Sequence, residues 1–198
     1  MSARLVAGVL LCLAGAQPTA LADDASMLFR TIGLEQGLSQ SAVHVSFQDQ
    51  QGFVWMGTEA GLNRFDGYDV LVHTADPDSP DALPDDYIWD IAETSDGDLW
   101  LATDRGGLVR FHRRQNRFEQ VFVPQRDGAP VPQVRSVVVD GADRIWIAST
   151  RAGIYRVAAD GSVLGHWAPG GDEQAELDTN VLAVQADGTV VALSLIHI

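Results

Sequence analysis

One segment recurs at a fixed interval, and that recurrence constrains the chain more than anything else in it. Gly52-Phe53-Val54-Trp55-Met56-Gly57-Thr58, closing on Gly61-Leu62-Asn63-Arg64-Phe65, returns from Gly97 to Phe111 and again from Asp143 to Val157. Trp55, Trp100 and Trp146 are separated by 45 and 46 residues, and Arg64, Arg110 and Arg156 by 46 and 46. A fourth copy opens at Asp187-Gly188-Thr189, with Val191 standing 45 residues after Trp146 where the tryptophan would fall. A unit of this size cannot bury its own apolar face, so the period implies repeats that pack on one another.

Each repeat carries four short β signals separated by turn residues. The first gives 43–48, 53–58, 62–66 and 70–74; the second 88–94, 99–103, 108–112 and 118–123; the third 134–140, 145–149, 154–158 and 163–167. The fourth gives 181–185 and 190–194, and residues 28–32 read as a short lead-in strand. Asp49-Gln50-Gln51-Gly52, Ser95-Asp96-Gly97 and Asp187-Gly188 supply turns between first and second strands, and Asp66-Gly67 and Asp160-Gly161 between third and fourth. Four strands per unit at this period predict an all-β fold of β-propeller blades, each of four antiparallel strands, about three and a half blades of an incomplete propeller. Gly61, Gly107 and Gly153 end the second-to-third turn, where positive φ or close approach excludes a Cβ. Trp55, Trp100 and Trp146 are expected to fill the wedges between neighbouring blades, each burying on the order of 150–250 Å².

The implied organisation is a leader over 1–22, a lead-in strand within 23–37, blades over 38–82, 83–129 and 130–174, and the start of a fourth over 175–194. Arg4, the apolar run 5–16 and the small-x-small site Ala20-Leu21-Ala22 read as a secretory signal peptide cleaved after Ala22. Cys12, the single cysteine, lies within it after Leu11, a poor context for lipid attachment, so a cleaved chain would hold no disulfide. Export without disulfides fits a bacterial periplasm. With 27 acidic residues against 13 basic, all arginine, the net charge of −14 argues against a nucleic-acid partner. The lack of lysine excludes Schiff-base and Walker-type phosphate chemistry in these residues.

Gly37-Leu38-Ser39-Gln40-Ser41, then Gln48-Asp49, Gly52-Phe53-Val54-Trp55, Gly57-Thr58 and Gly61-Leu62-Asn63-Arg64-Phe65-Asp66-Gly67-Tyr68 resemble the two-component regulator propeller repeat. The acidic, proline-bearing loop 76–83, leading into Ile88-Trp89, resembles the connection between its blades. The resemblance runs over about residues 28–194. A WD40 reading has only Trp89-Asp90 in its favour, and a kelch reading lacks the paired glycines. The resemblance implies the N-terminal part of a periplasmic ligand-sensing propeller. In such proteins a C-terminal transmembrane helix leads to a cytoplasmic histidine kinase or diguanylate cyclase. It further implies an unknown small-molecule or glycan ligand, a homodimer when full length and attachment to the inner membrane. On this reading three and a half blades do not close a ring, which takes roughly 4–8, and Leu195-Ile196-His197-Ile198 is expected to be a non-native tail.

Other constellations carry less. Gly170-Gly171-Asp172-Glu173-Gln174 mimics the diguanylate cyclase signature, but in an interblade loop on the exported side, without the fold that gives the motif meaning. Asp76, Asp78, Asp81, Asp85, Asp86 and Asp90 could offer oxygens to Ca²⁺, yet their spacing fits no EF-hand and prolines interrupt them. His44, His73, His112 and His166 stand at no metal-ligand spacing and read as surface or interblade residues. Arg113-Arg114-Gln115-Asn116-Arg117 reads as a water-exposed hairpin turn that could touch an anion. No nucleophile elbow or Cys/His pair occurs. The expectation is therefore no catalytic, cofactor or metal site in this chain, with an exported propeller lyase or an interaction scaffold as the alternatives to a sensor.

Overall fold

The computed structural model describes residues 29–124, 133–150, 152–167 and 178–195. The leader with Ala22, the segment 170–174 and the tail beyond Leu195 lie outside them. Contacts divide the chain into Met1–Thr31 and Ile32–Ile198, and every element below belongs to the second unit.

Fourteen strands are described. The first sheet comprises β1 (Val45–Gln48), β2 (Val54–Thr58), β3 (Gly61–Phe65) and β4 (Val70–His73); the second β5 (Ile88–Glu93), β6 (Leu99–Thr103), β7 (Leu108–His112) and β8 (Arg117–Phe122). The third has β9 (Val134–Val139), β10 (Ile145–Ser149), β11 (Gly153–Val157) and β12 (Val163–Trp167), and the fourth β13 (Asp178–Val184) and β14 (Val190–Leu195). Each sheet is a meander whose strands pair antiparallel in sequence order. The first strands of successive sheets, β1, β5, β9 and β13, lie side by side. These are β-propeller blades with the first strand of each innermost. The lead-in differs from its expectation: residues 29–33 form no strand, and a single 3-10 turn, Leu34–Gln36, occupies the approach to Leu38.

Second strands are sandwiched between neighbouring blades, and β6 is buried at every position. That explains why Leu99-Trp100-Leu101-Ala102 reads as a continuous apolar run instead of an alternating one. Two clusters result. Trp55, Leu62, Leu83, Ile88, Leu101 and Phe111 fill the space between the first two blades. Trp100, Leu108, Val134, Ile147, Tyr155 and Val157 fill that between the second and third. Gly61 (φ 118°) at the start of β3 and Gly107 (φ 72°) just before β7 are in left-handed conformation, and a Cβ there would strike the carbonyl oxygens of His73 and Phe122. Only glycine fits both demands.

A side-chain acceptor six residues before each tryptophan fixes the indole. Trp55 Nε1 donates to Asp49 Oδ2 at 2.7 Å, Trp100 Nε1 to Thr94 Oγ1 at 3.2 Å, and Trp146 Nε1 to Asp140 Oδ2 at 2.9 Å. Trp55 and Trp100 are 1% and 0% exposed. Trp146 is half-buried and stacks on the half-exposed Trp167, centroids 5.3 Å apart. Arg113 departs from the water-exposed turn expected of it. Its guanidinium pairs with Asp49 and Glu93 at 2.8 and 3.0 Å and lies over the Trp55 ring, tying the second blade to the first. The hairpin between β7 and β8 folds it back over an interface rich in carboxylates.

Candidate functional site

The innermost strands carry a device that positions side chains at one end of the molecule's inner face. In β5 the pairing shifts between Ile88 and Asp90, leaving Trp89 as an extra residue. In β9 the same irregularity leaves Arg135, and in β13 it leaves Asn180. A bulge re-aims the extra side chain out of the regular alternation. Trp89, Arg135 and Asn180 each stand eleven residues before the blade's tryptophan position (Trp100, Trp146, Val191), and His44 holds the same phase before Trp55. All four line one cavity of about 630 Å³.

The side chains there form a stacked array. His44 stacks on Tyr87 with centroids 5.0 Å apart, and Trp89 lies 4.9 Å from His44 and 4.3 Å from Tyr87. The Arg135 guanidinium carbon sits 3.7 Å from the Trp89 centroid, a close cation–π contact. Trp89 Nε1 is fixed by Asp104 Oδ1 at 3.3 Å, and the Tyr87 hydroxyl donates to Glu59 Oε1 at 3.0 Å. The hydrogen bond from Tyr87, followed by that from Gln40, holds the Glu59 carboxyl below its ordinary range. Desolvation, aided by Glu59, raises the Tyr87 phenol. Arg135 has no carboxylate partner among the described residues, and its buried Nε has no acceptor.

Behind the array lies Asp90, which also lines a second cavity of about 550 Å³ further along the inner strands. Its Oδ2 accepts from Ser136 Oγ at 2.8 Å and from Val137 N at 3.0 Å. The Ser136 hydroxyl in turn accepts the Leu182 N–H at 3.1 Å. A chain of hydrogen bonds thus joins the second, third and fourth blades. Desolvation pushes the Asp90 carboxyl up, against the pull of Ser136, Val137 and Ile91.

The residues singled out in the sequence fall elsewhere. Asp76, Asp85 and Asp86 accept backbone N–H groups of their own or neighbouring loops, and Asp90 alone of that run faces the inner cavity. His73 packs between Trp55 and Phe118, where burial, followed by nearby Arg64, lowers its pKa. His112 bridges Asp98 and Glu119, and His166 stacks on Tyr155 at 4.0 Å. Of the earlier candidates, His44 and Asp90 meet at the inner cavity, and His112, Arg114 and Gln115 line a separate pocket with Asp96, Asp98 and Arg110. Trp89, Arg135 and Asn180 escaped them because repeats are recognised by identity, whereas at this phase every blade carries a different residue. Among the described residues, no group of three or more His, Cys, Asp or Glu is placed to hold a metal.

Residues 82–105 match the family model described as Two component regulator propeller, which places a repeat of that kind on the linker and first two strands of the second blade. Histidine kinase P4 of Formosa agariphila is 29% identical over 94 residues, covering 46% of this chain and 7% of its own length. The extracellular domain of a hybrid two component system of B. thetaiotaomicron superposes with a TM-score of 0.67 at 22% identity, over 82% of this chain and 23% of that one. A virginiamycin B lyase from Staphylococcus aureus superposes with a TM-score of 0.62 at 15% identity, over 81% of this chain and 51% of that one. The structural likenesses establish the propeller fold. The chain spans about a quarter of the first of these structures and a small fraction of the kinase.

Proposed function

We propose that the chain is the ligand-receiving propeller region of an exported sensor. Its output module would be a histidine kinase or a diguanylate cyclase in the same protein. The observation that carries this reading is the mouth of the inner strands, where three bulges deliver Trp89, Arg135 and Asn180, and His44 at the same phase of the first blade joins them, at a single cavity. The repeat match and the kinase likeness supply the output half of the reading, and the leader 1–22 the export.

The arrangement suits reception more than turnover. A molecule seated there touches all four blades, and Asp90, Ser136 and the Leu182 N–H link three of them directly behind it. It can bias the set of blade positions only as far as it binds one set better than another. The lyase reading has less to work with. Asp90's carboxyl is engaged by two N–H donors and a hydroxyl, and His44 is held against Tyr87 and 3.5 Å from Glu59. A small-molecule or glycan ligand, dimerisation and attachment to the inner membrane belong to the same proposal.

The test is genetic. Chromosomal Trp89→Ala, with abundance of the intact protein checked by immunoblot, is expected to abolish induction of one transcript set across a panel of growth substrates. Transcript profiles matching wild type on every substrate would sink the proposal.

A further inference from the structure

We propose that Arg135 is the anchor for a carboxylate, so that the mouth takes a small carboxylate-bearing molecule; this rests on the sensor reading of the same cavity. The Arg135 guanidinium carbon lies 3.7 Å from the Trp89 ring centroid, and the residue lines the cavity. Its Nε is buried and without an acceptor, and no carboxylate among the described residues pairs with it. Arg64 and Arg156 share the buried Nε, so what bears on a ligand at Arg135 is a guanidinium on the cavity wall without a carboxylate beside it. The two Nη groups of Arg135, which lines the cavity, present parallel N–H bonds in one plane at the spacing of two carboxylate oxygens.

The surroundings narrow the ligand further. Trp89 is contacted by Arg135, Tyr87 and His44, so it serves to stiffen the guanidinium and offers no clear open face to a sugar ring. Asp90 lines the same cavity, Asp104 lies against Trp89, and the chain carries a net charge of −14. One guanidinium in that field offsets a single negative charge, and a dianion such as phosphate would leave its second charge facing carboxylates. The Asn180 carboxamide and the Thr150 hydroxyl line the cavity as neutral partners for the body of the molecule. Thr150 Oγ1 already accepts the Gln133 N–H at 3.0 Å, which leaves its proton to donate. About 630 Å³ accommodates a molecule of sugar or small aromatic-acid size.

The experiment is calorimetric titration of the intact protein at constant ionic strength with galacturonate, gluconate and benzoate. Each is paired with a neutral counterpart, galactose, glucitol and benzyl alcohol, and sodium sulfate is the simple-anion control. At least one carboxylate should bind about tenfold or more tightly than its neutral counterpart and than sulfate. Arg135→Lys, which keeps the charge but loses the planar fork, should weaken that binding by about tenfold or more, while exposed Arg114→Gln leaves it unchanged. Ring acid, open-chain acid or aromatic acid binding alone would identify the source of the carboxylate. Binding of no carboxylate, equal binding of a neutral counterpart or of sulfate, or full binding by a folded Arg135→Lys would each overturn the inference. Loss of the transcript response in Trp89→Ala without carboxylate binding leaves the sensor reading standing and removes this one. Carboxylate binding at Arg135 beside an unchanged transcript response does the reverse.

Discussion

Truncating Trp100 to alanine tests whether the recurring tryptophan holds neighbouring blades together. Trp100 is 0% exposed, packed among residues of two blades including Val134, Tyr155 and Val157, with Arg110 over its ring and its N–H on Thr94. An indole of this kind buries on the order of 150–250 Å², which at ~25 cal/mol per Å² amounts to roughly 4–6 kcal/mol. Measured truncations of buried aromatics cost about 3–5 kcal/mol, the range expected for Trp100→Ala. Trp146→Ala removes the same atoms from a half-buried site walled by the half-exposed Trp167, and roughly half that loss is expected. In the intact protein, thermal unfolding followed by far-ultraviolet circular dichroism should place the Trp100→Ala midpoint lower by about 6–20 °C, with Trp146→Ala between it and wild type. An unchanged midpoint for Trp100→Ala, or a larger loss for Trp146→Ala, would refute the wedge argument and leave the tryptophans without a packing role.

Two further predictions concern the carboxyls of Asp140 and Asp90. Burial pushes Asp140 up, but Trp146 Nε1–H, Ala142 N–H and Arg144 outweigh it and bring its pKa from 3.8 to about 2. The depressed value contributes about 2 kcal/mol, present above pH ~4 and lost as the pH falls through ~2. Denaturant midpoints between pH 7 and 2 should therefore fall for wild type and lose that acid limb in Asp140→Ala; parallel profiles would contradict it. Asp90 is shifted upward by desolvation, so its ionised form opposes folding at neutral pH. Asp90→Asn should match or exceed wild-type stability at pH 7, with the difference vanishing as the pH drops through the carboxylate range. A loss above about 1 kcal/mol at pH 7 would show the charge to be stabilising.

Much of the fold is readable in the sequence because it is written three times. Asp66-Gly67 and Ser95-Asp96-Gly97 mark their turns by chemistry, and strands such as Leu99–Thr103 and Ile145–Ser149 begin and end where the repeat predicts. In the third blade's first turn Asp143 takes the left-handed position at φ 56° that Gly52, Gly97 and Gly188 hold elsewhere. Its carboxylate accepts the Ser95 N–H of the neighbouring blade at 3.0 Å, a tie no single-repeat reading reveals. Residues 29–33 mislead because strand propensity is a weak local signal that pairing and packing override. The mouth is least legible. A bulge depends on the partner strand, so nothing local distinguishes Trp89 from the alternating residues of β5. Its trace in the sequence is negative: His44, Trp89, Arg135 and Asn180 share one phase and no chemistry. The pairing of Asp49, Thr94 and Asp140 with indoles six residues on is similarly hidden, because two residue types serve one role.

The most direct test of the account measures the output of the intact protein in sealed membrane vesicles, as phosphate incorporated or cyclic dinucleotide formed. An extract of the growth substrate that induces the response in the host is placed on the propeller side. Wild type should change its output with the extract, Arg135→Gln should show the same basal output without that change, and Arg114→Gln should behave as wild type. Equal responses from wild type and Arg135→Gln would contradict the claim that the signal enters through the mouth of the inner strands.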